Sequence, residues 1–461
     1  MLATGVLTVV LVWPSADPSG VQRAMELGAD ALLLRGALPK APDRPAGLMV
    51  LAEVAAQGAE VQAAKAAGFD GVAVTAKGSA AEFRQFLNAQ GGFVRYVVLD
   101  RNQLDWDVRP AEAVFKDGQW PGLQMSAGEA GATERPWITA NLHLYAYLRS
   151  MHRERAAFLN VPADEKSTRF DGVEVALAEA FAAGGGVLIE PPEMYRTGVA
   201  KGDGRAVAGW KRAAEIVKFA KAQQGVPRDA GGSQMALVGG PLDEGLEEIL
   251  NLTFRNNLSP QLLPPGKLAL AGRGLRIVAL ANRNPSTAET TELMRFVRGG
   301  GIVVWAPPAQ GKAAAWWGAA KKARTEAGRD LYAVGRGTLH VYREPVKDES
   351  EFAWDLKEIS GTDTPTGRGL FGLDLRVWYS NSVLGVLHGS GTERVAVLIS
   401  YGRVVDQEFL IGMRGRFAGA SSVQPGQAPQ NLDLMKYEQR VEWNQTGLNR
   451  VAVITLKGLG Q

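Results

Sequence analysis

Cysteine is absent from this 461-residue chain. Its absence excludes disulfides, thiolate metal sites and every mechanism with a cysteine nucleophile. Histidine is scarce: His143, His152, His340 and His388 are the only four, and no two have the i, i+4 spacing that puts a zinc pair on one helix face. No metal or other cofactor is expected. A charge excess is lacking too, since 51 Lys plus Arg stand against 48 Asp plus Glu, so nucleic acid is not an expected partner. No apolar run reaches the roughly 18 residues of a membrane-spanning helix, so no membrane partner is expected. The apolar stretch Met1–Trp13 has no positive leader and runs into a turn at Pro14-Ser15, so it reads as a buried strand with a cytoplasmic location as the default, the alternative being a signal-peptide core and a periplasmic or secreted location. What is present is an apolar share of 46% with 55 glycines, an ordinary globular composition on a chain long enough for about three domains.

The first half of the chain repeats one unit: a short run rich in Val, Leu and Ile, then polar turn residues, then an amphipathic stretch. Eight such runs can be read, at Thr8–Trp13, Ala31–Arg35, Leu48–Val54, Gly71–Thr75, Val94–Asp100, Trp120–Met125, Ala156–Val161 and Gly186–Pro191. Continuous apolar strands imply burial on both faces. Two of them share an entry signature, Leu-Gly-Ala-Asp-Ala before Leu32 and Ala-Gly-Phe-Asp-Gly before Val72, whose glycine is placed to end a helix. Helices are expected at Gly20–Leu27, Ala80–Ala89, Leu142–Met151, Val173–Ala183 and Trp210–Gln223, whereas three prolines between Gly36 and Gly47 leave no room for one. Eight strands alternating with helices predict a TIM (β/α)8 barrel over residues 1–226, with a doubly wound open sheet as the alternative.

Gly225–Gly232 reads as a linker. Beyond it, Met235–Val238, Leu275–Leu280 and Ile302–Trp305 read as strands, and Leu242–Phe254 as a helix with Leu246, Ile249 and Leu250 on one face. Ser286-Thr287-Ala288-Glu289 has capping-box spacing and opens a second helix, which Gly299-Gly300-Gly301 ends. Residues 233–360 therefore predict a flavodoxin-like α/β domain, with Lys321-Lys322-Ala323-Arg324 on the solvated face of an Ala-rich helix. From Gly361 the pattern turns to strands at Arg376–Tyr379, Arg394–Ser400, Glu408–Ile411, Gln439–Trp443 and Arg450–Leu456, so residues 361–461 predict an antiparallel β-sandwich. Gly367-Arg368-Gly369-Leu370-Phe371-Gly372 matches a dinucleotide fingerprint in its glycines, but strand-like residues follow it instead of a helix.

This order of barrel, α/β domain and β-sandwich resembles the glycoside hydrolase family 42 type β-galactosidases and their relatives. The likeness is sharpest in the middle, where Met235–Val238, Leu242–Phe254, Leu275–Asn282 and Leu293–Gly301 are similar to the β-galactosidase trimerisation domain, a glutamine-amidotransferase-like fold. Ala178–Gly186 is similar to the helix and strand entry that close such barrels, and Arg394–Tyr401 to a core strand of their C-terminal domain. The resemblance implies carbohydrate as substrate or ligand and a homo-oligomer, trimer or dimer. Amidotransferase chemistry needs a cysteine and is excluded. In the family the catalytic acid follows strand four in an Asn-Glu pair and the nucleophilic Glu ends strand seven. Here those places hold Thr75-Ala76-Lys77 and Leu159-Asn160-Val161, so neither catalyst carries over.

Carboxylates at the carboxyl ends of barrel strands lie where such folds build active sites, and Glu53, Asp100 and Glu190 meet that rule. Partial desolvation suits Glu190 or Glu53 to the role of general acid, while Arg101 beside Asp100 suits Asp100 to that of base or nucleophile. In the other reading each pairs with an Arg or caps a helix, and the chain is a silent relative that binds carbohydrate or serves in assembly. Asp164 and Glu165 follow strand seven. Trp13, Trp106, Trp120, Trp137 and Tyr195 are candidates for stacking on sugar rings or for core packing, Trp120 being assigned to packing. Arg35 either holds a substrate group or pairs with Glu53, and Asn160 is a candidate ligand for sugar hydroxyls. Asn141 is placed to cap the helix from Leu142, with His143 in its first turn.

Overall fold

The computed structural model describes residues 7–37, 40–124, 137–152, 156–167, 169–223, 233–243, 245–266, 268–270, 274–310, 313, 315–318, 320–362, 374–389, 393–402 and 408–458. The glycine-rich match at Gly367–Gly372 and the linker at Gly225–Gly232 lie outside them. Among the described residues no helix is long and apolar enough to cross a membrane.

The chain opens with β1 (Thr8–Pro14), α1 (Gly20–Leu27), β2 (Ala31–Arg35), β3 (Met49–Glu53), α2 (Gly58–Ala66), β4 (Gly71–Thr75), α3 (Ala80–Ala89), β5 (Val94–Leu99) and β6 (Glu112–Phe115). A two-stranded ribbon follows, β7 (Gly122–Gln124) with β8 (Trp137–Thr139), then α4 (Leu142–Met151), β9 (Phe158–Val161), α5 (Gly172–Ala183), β10 (Gly186–Ile189), α6 (Glu193–Lys201) and α7 (Gly204–Ala222). Eight of these strands close a parallel barrel in the order β1-β10-β9-β6-β5-β4-β3-β2. The expected barrel is present, with one correction. Its sixth strand is Glu112–Phe115, and the run Trp120–Met125 expected there supplies the ribbon. Four residues ending at Lys116-Asp117-Gly118 are too short to show a period. Gly118 then turns the chain against β9 so closely that a Cβ would sit 2.1 Å from the Asn160 carbonyl oxygen.

The repeated entry signature has a physical role. Gly28 (φ 76°) and Gly68 (φ 87°) adopt the left-handed conformation after α1 and α2, and two residues on an aspartate latches the neighbouring strand. Asp30 accepts the Val9 N–H at 2.8 Å and pairs with Lys221, while Asp70 accepts the Val50 N–H at 2.8 Å and pairs with Arg44. Replacing either aspartate by Ala is expected to cost about 1–2 kcal/mol in urea unfolding, mostly from the orphaned strand amide.

The second region holds β11 (Met235–Val238), α8 (Leu246–Arg255), β12 (Gln261–Leu263), β13 (Ile277–Leu280), α9 (Thr287–Arg298), β14 (Ile302–Trp305), β15 (Lys321–Thr325), β16 (Arg329–Val334), β17 (Gly337–Tyr342) and α10 (Glu349–Thr362). Its sheet runs β12-β11-β13-β14-β17-β16-β15, parallel through β17 and antiparallel at the last two strands. Ser286 and Glu289 form both halves of the expected capping box. The basic run Lys321–Arg324, expected on a helix, is instead the fully exposed edge strand. Lysines there discourage edge-to-edge pairing, and Lys322 reaches Asp330 on the next strand at 2.8 Å.

The last region is two antiparallel sheets. One pairs Leu375–Trp378, Phe409–Arg414, Arg440–Gln445 and Met435–Lys436; the other pairs Val383–His388, Glu393–Ser400, Val451–Gly458, Phe417–Val423 and Gln430–Leu432. Leu375, Phe409, Ile411 and Trp443 of the first meet Ala396, Leu398, Ala452 and Ile454 of the second in one core. Helix α5 is buried along its whole length, as its nearly uninterrupted apolar sequence requires, because α7 and β10 cover one side and the second sheet the other.

Candidate active site at the barrel mouth

Val10, Val12, Leu33, Leu51, Ala73, Tyr96, Val114, Phe158 and Leu188 fill the barrel interior, with the half-buried Val98 packed against them beyond Tyr96 on the same strand. Side chains alternate with a period of two, so the inward positions two residues beyond the top of that filling are fixed. They are Pro14, Arg35, Glu53, Thr75, Asp100, Lys116, Asn160 and Glu190, one from each strand. The same parity sends Trp13 outward, where it packs in the barrel–helix layer with its ring 6.3 Å from that of Trp210.

The ring carries three carboxylates and two cations, and they are already paired. Arg35 Nε and one terminal nitrogen bind Glu53 and Glu190 respectively, and the second terminal nitrogen lies 3.5 Å from Glu53. Burial opposes the guanidinium charge, but the hydrogen bond and charge of Glu53, then those of Glu190, outweigh it and hold Arg35 above its ordinary value. Lys116 pairs with Asp100 across β5 and β6. The ring is therefore split into a triad of net charge −1 on one side and a neutral pair on the other.

The remaining candidates are dispersed. Asn160 is inward and half-buried on β9. Glu165 accepts the Glu193 N–H at 2.9 Å and so caps α6, while Asp164 accepts the Lys166 N–H. Trp13, Trp120 and Tyr195 are buried, and Trp106 packs on Phe83 at 6.0 Å; the side chain of Trp137 lies outside the described residues. Trp13 thus offers no free face to a sugar, a correction that follows from its strand parity. Asn141 does stand at the start of α4, but its side chain caps nothing. It bonds the Gln119 backbone and the Glu179 carboxylate.

Sequence reasoning missed Lys116, because it missed the strand that delivers it. It also missed the carboxylates at the region boundaries. Glu247, at the start of α8, reaches Arg101 and stands 3.6 Å from the buried His143 Nε2; the imidazole, then the guanidinium, hold its carboxyl down at about 2. Glu179, on α5, is fully enclosed and accepts the Asn141 N–H at 2.7 Å, its amide at 2.8 Å and the Tyr401 hydroxyl at 2.7 Å. Burial pushes its carboxyl up to about 7 in spite of those donors. A charged residue inside an apolar helix was the available signal.

No family model matches the chain, and no curated protein matches it in sequence. Solved structures do. α-L-Fucosidase isoenzyme 2 from Paenibacillus thiaminolyticus aligns over 99% of this chain and 100% of its own, with a TM-score of 0.58 at 7% identity. The β-galactosidase from Rahnella sp. R3 aligns over 99% of both chains, at 0.57 and 9%. The β-galactosidase from Bacillus circulans sp. alkalophilus aligns over 99% of this chain and 100% of its own, at 0.51 and 6%. The chain thus has a glycoside-hydrolase-like fold, and identities this low speak for the fold alone.

Proposed function

We propose that this protein is a catalytically silent relative of the glycoside hydrolases that binds carbohydrate at its barrel mouth. The observation carrying the reading is that Glu53 and Glu190 share the Arg35 guanidinium. Glycoside hydrolysis needs one carboxyl group protonated and a partner free to attack or to activate water. A guanidinium bonded to both carboxylates engages the oxygens that an acid and its partner would each need for that chemistry. The same triad suits hydroxyl recognition, since two fixed carboxylates accept from vicinal hydroxyls and the guanidinium donates. Absence of glutamate at Thr75-Ala76-Lys77 and Leu159-Asn160-Val161 supports it further.

Other parts of the reading belong with it. Domains at 1–226, 233–360 and 361–461 are proposed, and the parallel order β12-β11-β13-β14-β17 supports a flavodoxin-like middle unit, being the 2-1-3-4-5 order of such folds. Assembly as a homo-oligomer through that unit is proposed from the family resemblance.

An active glycosidase is the second reading. Carboxylates bonded to different nitrogens of one guanidinium have oxygens no more than about 8 Å apart, within the range that glycosidase pairs span. The two separate on one pair of measurements: release of nitrophenol from a panel of aryl glycosides, and calorimetric titration with mono- and oligosaccharides. Saccharide binding without turnover, weakened at least tenfold by Arg35→Met, is expected. Turnover abolished by Glu190→Gln would establish the glycosidase instead.

A further inference from the structure

The segment that leads out of β6 delivers Lys116 to the mouth, yet its own side chains give it little to pack on. Lys116 and Gln119 are exposed, and Gly118 has no side chain. Each residue is instead held by a different element. The Lys116 N–H donates to the Leu99 carbonyl of β5 at 3.1 Å, and Asp117 pairs with Arg101 at 3.2 Å. Gly118 lies against the Asn160 carbonyl of β9. Gln119 is held through its backbone, whose N–H donates to Asn141 Oδ1 at 2.8 Å and whose carbonyl accepts from Asn141 Nδ2 at 2.9 Å.

Asn141 departs from the use that its place at the start of α4 predicts. Asparagine in such a place ordinarily turns its side chain back on the first amides of the helix. Here the amide turns away from α4, and both of its ends are engaged elsewhere. Its nitrogen donates a second bond, to Glu179 Oε2 at 2.8 Å, and the Asn141 N–H donates to Glu179 Oε1 at 2.7 Å. Donation to the carboxyl group fixes which end of the amide is nitrogen, so the oxygen faces the Gln119 N–H. Glu179 is held in turn from the sandwich by the Tyr401 hydroxyl at 2.7 Å. Asn141 and Glu179 are 0% and 1% exposed, so water does not compete for these bonds.

We propose that Asn141 is a positioning residue of the barrel mouth: oriented by Glu179, it clamps Gln119 three residues beyond Lys116 and so holds the Lys116 ammonium on the Asp100 carboxylate. The pair needs such a hold. The side chains of Lys116 and Asp100 are 49% and 39% exposed, and an ion pair that open gains little when ordering a long lysine costs about what the charges return. In the fold the hydrogen bond to Asp100 nevertheless keeps the Lys116 ammonium above its ordinary value. If the amide served only to join α4 to the ribbon, its loss would lower stability and leave Lys116 as it was. The assignment rests on the barrel-mouth reading only for what the pair is used for.

Trace acetylation of the full chain with acetic anhydride at pH 8 tests it, with the yield at Lys116 read by peptide mass spectrometry against Lys211 on α7 in the same sample. Only the neutral amine attacks the anhydride, so an ammonium held by Asp100 reacts slowly. Asn141→Ala is expected to raise the Lys116 rate at least threefold. Glu179→Gln removes a buried charge with an isostere that sets a second amide against that of Asn141. It is expected to raise the rate in the same direction, which covers a failure of Asn141→Ala to fold. Tyr401→Phe takes a donor from the same carboxyl group without touching the clamp; it should lower thermal melting and leave Lys116 as in the parent. An unchanged rate in both clamp variants, or an equal rise in Tyr401→Phe, overturns the assignment. Calorimetric titration with saccharides reads the barrel-mouth proposal separately. A parent that binds none sinks that proposal and leaves acetylation to decide this one, whereas binding that Asn141→Ala weakens at least fivefold supports both.

Discussion

Lowering the pH from 8 to 5.5 is expected to stabilise the folded chain by about 2 kcal/mol through Glu179 alone. Its carboxyl is raised by burial to about 7 in the fold, against an ordinary value of 4.5 in the open chain. The folded state therefore holds a proton that the unfolded state releases between those two values. The associated stability is complete below pH 4.5 and is lost as the pH rises through 7, on the order of 3 kcal/mol over the whole window. The groups facing Glu179 do not cancel this, since Asn141 does not titrate and burial keeps the Tyr145 and Tyr401 phenols neutral. His340 acts in the opposite sense. Burial holds it down at about 4, so its contribution is lost as the pH falls from 6.5 towards that value. For that reason the measurement is the difference in urea unfolding between the parent and Glu179→Gln across pH. The parent should gain on the variant by about 2 kcal/mol between pH 8 and 5.5. A difference that stays flat shows that Glu179 keeps its charge in the fold, with water or a cation reaching it.

How far the fold was legible depended on how much sequence each element had in which to declare a period. β1 to β5, β9 and β10 are apolar runs bounded by turn residues, and their places in the barrel could be read directly. Glu112–Phe115 could not, because a strand of four residues between a proline and Asp117-Gly118 has no room for a pattern, and the longer run at Trp120–Met125 took its place. Lys321–Arg324 was misread for a different reason. Lysine and alanine favour helix locally, yet the sheet needed an edge strand that resists pairing, and tertiary context overrode propensity.

Of the pairings at the mouth, Arg35 with Glu53 was legible in the sequence and the others were not. Alternation along a strand fixes that Arg35, Glu53, Asp100 and Glu190 face the mouth, and it also fixes that Trp13 does not. Which charge neutralises which depends on closure of the barrel, since β10 lies beside β1 and so brings Glu190 within reach of Arg35 across 155 positions of sequence. Nothing local records that distance. Similarly, Glu174 and Glu179 stand out in the sequence as charges within an apolar helix, but the partners that enclose them follow only from docking the sandwich against α5.

That docking makes Arg450→Met the substitution with the largest expected cost, about 3–5 kcal/mol. Arg450 stands at φ 66°, at the start of a central strand, and is 7% exposed. One terminal nitrogen donates to the Ser400 carbonyl at 2.6 Å and the Gly402 carbonyl at 2.8 Å, the other approaches Asp171 at 3.3 Å, and Nε stands 3.6 Å from Glu174. Glu174 is itself 2% exposed and has Arg212 at 2.9 Å as its other cation. Removing Arg450 therefore takes a charged donor from the Ser400 and Gly402 carbonyls and leaves a buried carboxylate with a single, half-exposed partner. Arg450→Lys keeps the charge but cannot serve the carbonyls and the carboxylates from one planar fork, so it should recover less than half of the loss. Urea unfolding at pH 7, followed by tryptophan fluorescence and circular dichroism together, measures both. In Arg450→Met the two signals should separate, the sandwich core around Trp443 melting ahead of the barrel, because a charged tie between the sandwich and α5 is gone and the Tyr401–Glu179 bond is left to hold the joint. Coincident transitions with a loss below about 1 kcal/mol would mean that the joint is held by its apolar contacts and that the buried charges only tolerate it.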